Sequence, residues 1–382
     1  MSFPKKIALL AYLLVNSLFV LKYGERQSYV PTYLLIALYN FFIGFVLIEM
    51  DHLQSYFDNQ KKFNFYFLGF SLLVFIVFVI INFLVDGNTL NTDRWSAMET
   101  TIRGILQGQY PYGLEDHLGQ TSSNLPGLFY IGLPFYCLGN IGLLQAFVFL
   151  TGCYLLYKSD FKNTQKVVIL LLFLLSPAYL WEVVAKSDLL SNILLLTFFL
   201  FLWDKSYKSN YFKNPVLLAF CCAFLFFTRG IVIIPLTFLL FGAFLKLSIG
   251  KKMSFLGYCL LFLILISLPI LLILPDLETI KIHNPFNHQT RFTPFWVQVV
   301  FVFTPLLIAH KIKSIQKVIY YTFLNFFLLL FLSFVIEILD ENFYDALYKS
   351  YFDISYLTMI LPFAILVVSF QQNHFSLVDV EK

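Results

Sequence analysis

Apolar runs of about twenty residues, parted by short polar clusters, recur along the whole chain. A helix of that length crosses the hydrocarbon core of a bilayer. The pattern predicts helices near 5–22, 29–49, 63–85, 140–157, 166–181, 187–203, 214–228, 230–248, 253–274, 294–310, 318–337 and 353–371. An all-α polytopic membrane protein is therefore expected, with about twelve transmembrane helices in a single integral membrane domain, 1–382. The alternating segments of a membrane β-barrel are absent from the sequence.

The stretch 125–137, LPGLFYIGLPFYC, is apolar but short for a crossing and holds two prolines. Charge decides its placement. If it lies along the interface, one side of the membrane collects Lys5, Lys6, Lys61, Lys62, Lys158, Lys162, Lys166, Lys205, Lys208, Lys213, Lys246, Lys251, Lys252, Lys311, Lys313, Lys317 and Lys382. The excess of lysine makes that side cytoplasmic. If 125–137 crossed, the later lysine clusters would face outward. With the interfacial reading both termini are cytoplasmic, and the polar segments 86–139, 182–187, 275–293 and 338–352 lie outside.

Composition closes off the water-soluble classes. The chain of 382 residues is 59% hydrophobic and only 13% charged, about half the charged share that coats a soluble domain. A soluble enzyme, a disordered tail and a nucleic-acid binder are excluded. The net charge of +4 is too small to name a partner. Cys137, Cys153, Cys221, Cys222 and Cys259 all fall in apolar segments, none with metal-ligand spacing.

The segment 86–139 is the longest that does not span, and long loops of this kind usually carry function. Within it, residues 92–107 predict an amphipathic helix. Thr92 is the expected N-cap, and Trp95, Met98, Ile102 and Ile105 or Leu106 form an apolar stripe at helical spacing. Asp93 stands in the first turn, where the helix dipole favours a carboxylate. Gly108 ends the helix and Tyr110-Pro111-Tyr112 forces an extended exit. The stripe suggests a helix lying at the outer interface, its apolar face on lipid or on the bundle.

This arrangement resembles the first extracytoplasmic loop of the C-type glycosyltransferase superfamily. An Asp opens an interfacial helix just after a span, a Gly follows fifteen positions later (Asp93 to Gly108), then Pro-Tyr, then a second interfacial helix from Pro126 to Gly139. The superfamily includes protein O-mannosyltransferases, aminoarabinose transferases and polyprenol-dependent mannosyltransferases. Its loop commonly has Asp-Glu where this chain has Asp93-Arg94, and two prolines where it has Leu125-Pro126. Two further patches are similar to the family: Lys186-Ser187-Asp188 at the outer start of a span, and Thr228-Arg229-Gly230 followed by IVIIPL. The resemblance touches residues 86–240 in pieces.

The resemblance implies a sugar donor on a polyprenyl phosphate, an acceptor in a glycan, lipid or protein, and chemistry at the extracytoplasmic face of the plasma membrane. An acceptor hydroxyl or amine would attack the anomeric carbon and the lipid phosphate would leave. Such chemistry needs a carboxylate beside the attacking group and cations for the departing charge. Asp93 is the expected catalytic carboxylate, with a plain first-turn helix charge as its ordinary reading. Asp86 is the substitute, ordinarily a turn residue in Asp-Gly-Asn.

Arg229 sits between apolar runs and needs an anionic partner. A lipid phosphate suits its fork; an internal ion pair with Asp188 or Glu182 is the other reading, and both stay open. Lys281, His283, His288 and Arg291 form a basic outer segment suited to phosphate, or an ordinary solvated loop. Glu182, Lys186, Asp188, Asp86 and Tyr112 are expected among the substrate-binding residues, the first three by shaping the site or its ion pairing. Some superfamily members use a divalent cation and others do not; Asp86, Asp93, Glu115, Asp116 and His117 offer ligand chemistry for one. The rivals to a transferase are a transporter or flippase of lipid-linked saccharides, and a polymerase or ligase of lipid-linked glycans.

Overall fold

The computed structural model describes residues 1–370; residue 371, at the end of the last predicted helix, and Lys382 lie outside them. Among the described residues the chain is helical throughout, and pairing of extended backbone is confined to a single bridge between Glu115 and Thr121.

Among the described residues, six helices are long and apolar enough to cross a membrane: Phe3–Gly24, Thr32–His52, Phe63–Leu84, Leu189–Tyr207, Ile249–Leu271 and Ile315–Asp340. Two further candidates are bent pairs, Asn163–Leu174 with Pro177–Val184 (61°) and Leu277–Thr290 with Phe295–Lys311 (63°). Both bends fall just ahead of a proline, Pro177 and Pro294, whose ring bars the preceding residue from helical backbone. The helices Leu143–Lys158, Pro215–Phe226, Gly230–Leu245 and Ile354–Ser369 are apolar but shorter. Length and composition thus give six candidate spans, or up to eight with the bent pairs.

Several of these helices turn large apolar side chains outward. On Thr32–His52, Phe41 is 75% exposed and Phe45 51%. A water-soluble chain does not present such a face along a whole helix, whereas hydrocarbon accepts it.

The chain forms two compact units that alternate along the sequence: 1–77, 149–182 and 316–370 in one, 78–148 and 183–315 in the other. In the first unit, Phe3–Gly24 packs on Ile354–Ser369 through small and apolar positions, with Ala8, Ala11, Tyr12 and Val15 essentially inaccessible. The Tyr12 hydroxyl donates to the Leu172 carbonyl at 2.7 Å. Asn16 fills the break after Leu174: its Oδ1 accepts from Ser176 Oγ (2.6 Å) and from the Ala178 N–H (3.2 Å). Those donors are orphaned where the helix breaks, and buried donors must be paired. Asn16→Ala is expected to lower stability by about 1–3 kcal/mol, the cost of leaving such groups unpaired. Thermal unfolding in detergent would show it; an unchanged midpoint would mean that the break is hydrated.

The second unit holds the whole of 86–139. Its helix Arg94–Leu106 begins one residue later than expected, because Asp93 rather than Thr92 occupies the N-cap. Its packed face rests on protein, one of the two placements expected for it. Ser96, Ala97, Met98, Thr100, Thr101, Ile102 and Gly104 are buried, while Leu106 is exposed. Short polar side chains sit on the packed face because Thr101 Oγ1 donates to Ser122 Oγ at 2.7 Å and Ser96 Oγ meets His117 Nδ1 at 2.6 Å. Gly108 takes the left-handed backbone (φ +69°) that stops the helix.

The segment 125–137 folds as the helix Pro126–Cys137, and one side of it is buried by protein. The Gly127 N–H donates to the Phe227 carbonyl (2.9 Å), and Gly132 faces Met98 and Ile102 of Arg94–Leu106. The two loop helices therefore pack on each other, and the second is clamped to the end of Pro215–Phe226.

Candidate functional site

The helix Phe63–Leu84 is followed at once by a turn through a short 3-10 helix, Gly87–Thr89. Asp86 fixes that turn: its Oδ1 accepts from the backbone N–H and the side-chain amide of Asn88, both at 3.0 Å. Trp95 then lies over Gly87, its Nε1 donating to the Gly87 carbonyl at 3.3 Å. A Cβ on Gly87 would come within 2.6 Å of the indole, so only glycine admits this approach. Trp95 and Glu99 are one helical turn apart and share a face.

That face borders an open cavity of about 370 Å³. Asn82, Asp86, Trp95, Glu99, Asn140, Gly142 and Lys186 line it, together with Phe83 and Leu84 at the end of the candidate span. Asn140 closes one side by donating from Nδ2 to the Asn82 carbonyl at 2.9 Å. Lys186 stands in left-handed backbone, φ +53°, which costs a non-glycine residue roughly 1 kcal/mol or more. Such strain gathers where a side chain must be aimed. Burial pulls the Lys186 amine below its ordinary range, and the Asp86 and Glu99 carboxylates oppose that shift.

Two residues expected from sequence, Asp86 and Lys186, are thus brought together. Asp93 is not with them. It is half-buried at the N-cap, its side chain makes no cap hydrogen bond, and its charge is felt by Asp116. Desolvation raises the Asp116 carboxyl, and Asp93 adds to that rise. Trp95, whose ring lies 5.3 Å from that of His117, follows Asp93 by two residues and lines the cavity, which Asp93 does not.

Arg229 pairs with Asp188: Nη2 to Oδ2 is 2.7 Å, with both side chains at most 4% exposed. The internal ion pair is therefore the reading the structure supports for this residue. Asn192 Nδ2 donates to the same Asp188 oxygen at 2.7 Å. Arg229 Nε and Nη1 and Asp188 Oδ1 are buried without protein partners. Glu182, the other expected partner, belongs to the first unit and accepts from Thr358 Oγ1 at 3.2 Å.

The basic segment 281–291 packs on the long loop. His288 Nε2 lies 3.5 Å from Thr121 Oγ1, and Gln289 Nε2 donates to the Ser123 carbonyl at 2.9 Å. The His283 ring is next to Gly113. Burial and the Arg291 charge hold His288 below the ordinary histidine range. Arg291 stacks on the neighbouring Phe292 ring at 4.4 Å. Tyr112 is buried and meets Tyr110 edge-on at 5.4 Å; burial pushes its phenol well up. It packs the loop and does not line the cavity.

Glu99 is the ionisable residue of this cavity that the sequence reading missed. Its signal was present, since it repeats the Trp95 position one turn on, but the stripe was drawn through Met98 and Ile102. Among the described residues no group of three or more His, Cys, Asp and Glu side chains is placed to hold a metal. No family model, no curated protein and no solved structure matches the chain.

Proposed function

We propose that the chain is a multi-pass membrane glycosyltransferase that moves a sugar from a polyprenyl phosphate to an acceptor at the outer face of the plasma membrane. The observation that carries this reading is the polar cavity at the end of Phe63–Leu84, where carboxylates and an amine meet beside the exposed Phe83 and Leu84. A reaction between a lipid-linked donor and a hydroxyl needs charged groups at that depth. The order of the loop helices, which resembles the C-type superfamily, supports the same reading.

In the proposal, the acceptor oxygen bonds to the anomeric carbon as the bond from that carbon to the phosphate oxygen breaks. The electron pair leaves with the polyprenyl phosphate, and the acceptor proton passes to a carboxylate. Glu99 takes that role in place of Asp93, because it lines the cavity and Asp93 does not. Asp86 is the poorer base, since Asn88 already occupies one of its oxygens. Lys281 and Arg291 supply positive charge for the leaving phosphate, on a segment that His288 and Gln289 hold against the long loop. The six candidate spans, the bent pair Asn163–Leu174 with Pro177–Val184, the helix Phe295–Lys311 and the four shorter apolar helices lie near the twelve positions predicted from sequence, while Leu277–Thr290 falls in the predicted outer segment 275–293. A twelve-crossing topology with the lysine-rich ends in the cytoplasm belongs to this proposal.

The test is transfer from a radiolabelled mannosyl polyprenyl phosphate to membrane acceptors by the purified chain. Wild-type protein is expected to release polyprenyl phosphate and label an acceptor. Glu99→Gln should cut the rate about 10²–10⁴-fold, the usual weight of general-base catalysis, and Asp93→Asn less than about tenfold. Loss of transfer in Asp93→Asn with full activity in Glu99→Gln would restore Asp93 as the base. Counterflow of an intact lipid-linked saccharide without bond cleavage would instead favour a flippase.

A further inference from the structure

The cavity has a charge pattern that selects its occupant. Asp86 and Glu99 face a single amine, that of Lys186. A third acceptor adds to them. Asn82 is 1% exposed and lines the cavity, yet its Oδ1 has no hydrogen-bond partner, although the Nδ2 of the same amide donates to the Phe78 carbonyl at 2.9 Å. This oxygen lies against the bare side of Gly142, where a Cβ would collide with it. A buried acceptor without a donor is a standing cost, removed by an occupant that brings hydrogen to it.

Carboxylates therefore outnumber amines on these walls. A phosphodiester, which carries an anion and only accepts, is repelled by two carboxylates set against one amine. A sugar ring with free hydroxyls matches, because every hydroxyl both donates and accepts, and the Trp95 indole supplies an apolar surface beside it. A sugar bearing a carboxylate would bring a like charge into the same space.

We infer that this cavity holds the acceptor rather than the donor's phosphate, and that the acceptor is an uncharged, hydroxyl-rich sugar. Glu99 and Asp86 accept from its hydroxyls, Lys186 donates to it, and acidic sugars are excluded. The exposed Phe83 and Leu84 at the rim suit a sugar presented on a lipid. The inference rests on the transferase reading, but binding tests it separately from catalysis.

The experiment is saturation-transfer NMR on the full chain in nanodiscs, with methyl mannopyranoside, methyl glucopyranoside and methyl glucuronide as probes. The two neutral glycosides are expected to bind saturably and to compete, and the glucuronide at least about tenfold more weakly, the weight of one charge-assisted hydrogen bond. Glu99→Gln, which keeps the side-chain shape, should weaken the neutral probes about tenfold and narrow the gap to the glucuronide. Its thermal midpoint should match wild type. Glucuronide binding as tight as the hexosides, no hexoside binding at all, or an unchanged ratio in Glu99→Gln would each overturn the inference. Hexoside binding as expected with no transfer from any lipid-linked donor would overturn the transferase reading and leave the sugar site standing.

Discussion

Arg229→Ala is expected to destabilise the second unit by about 3–5 kcal/mol, the range found when one partner of a buried ion pair is removed. The pair qualifies for that range because both side chains are almost fully buried and the contact is 2.7 Å. Removing the guanidinium strands the Asp188 carboxylate, whose Oδ1 already has no partner. The only neutral help left to it is the Asn192 amide. Asp188→Asn should cost less than Arg229→Ala, since an amide can still accept from the guanidinium. The double variant Arg229→Met/Asp188→Leu should recover much of the loss, because apolar replacement of a buried pair is often close to neutral. Thermal unfolding of the four proteins in one detergent gives the coupling between the sites. A cost below about 1 kcal/mol for Arg229→Ala would mean that the pair is solvated. It would also reopen the reading of Arg229 as a ligand for lipid phosphate.

The helices were legible in the sequence because apolar runs of bilayer length leave little choice of structure. What the runs did not reveal was where they stop being straight. Pro177 and Pro294 mark both bends, yet each stands inside or beside an apolar stretch that reads as continuous. Hydropathy alone also could not separate lipid-facing from protein-facing surface. LPGLFYIGLPFYC reads as apolar enough for an interface, and its two glycines mark the side that faces protein. Gly127 and Gly132 are spaced to let other backbones and side chains come close, and both are covered by protein.

The site was legible in part for a related reason. Asp86 and Lys186 are charges at the ends of apolar runs, and such charges draw attention. Glu99 stands in the middle of a helix whose stripe was drawn through its apolar members. It lines the cavity because Trp95, one turn earlier, is drawn to Gly87. That contact depends on a turn set by the Asp86–Asn88 hydrogen bonds, and no helical period encodes it. Arg229 with Asp188 was legible only as an alternative: sequence shows that an arginine between apolar runs needs an anion, but not whether the chain supplies it.

Gly127→Ala is expected to cost about 3 kcal/mol, the upper part of the range for an overpacked site, and to reduce transfer along with stability. A Cβ there would stand 2.8 Å from the Phe224 carbonyl oxygen and from both the carbon and oxygen of the Phe227 carbonyl. These are backbone atoms at the end of Pro215–Phe226, so no rotamer change relieves the contact. Relief requires the two helices to part, and parting them stretches the hydrogen bond from Gly127 N–H to Phe227 O. That bond ties the long loop to the turn that carries Arg229, so the damage should reach both. Two controls separate crowding from backbone freedom. At Gly44 nothing lies within 4 Å of an added Cβ, and alanine there should be neutral or stabilise by up to about 1 kcal/mol through helix propensity. At Gly139 space is equally free but φ is +77°, so alanine should cost about 1–2 kcal/mol from conformation alone. Unfolding midpoints in the order Gly44→Ala, Gly139→Ala, Gly127→Ala, from highest to lowest, would establish that the second loop helix is held by close backbone contact. A midpoint for Gly127→Ala equal to that of Gly44→Ala would mean that the helix is free of Pro215–Phe226, and the loop would then lose its fixed position beside the cavity.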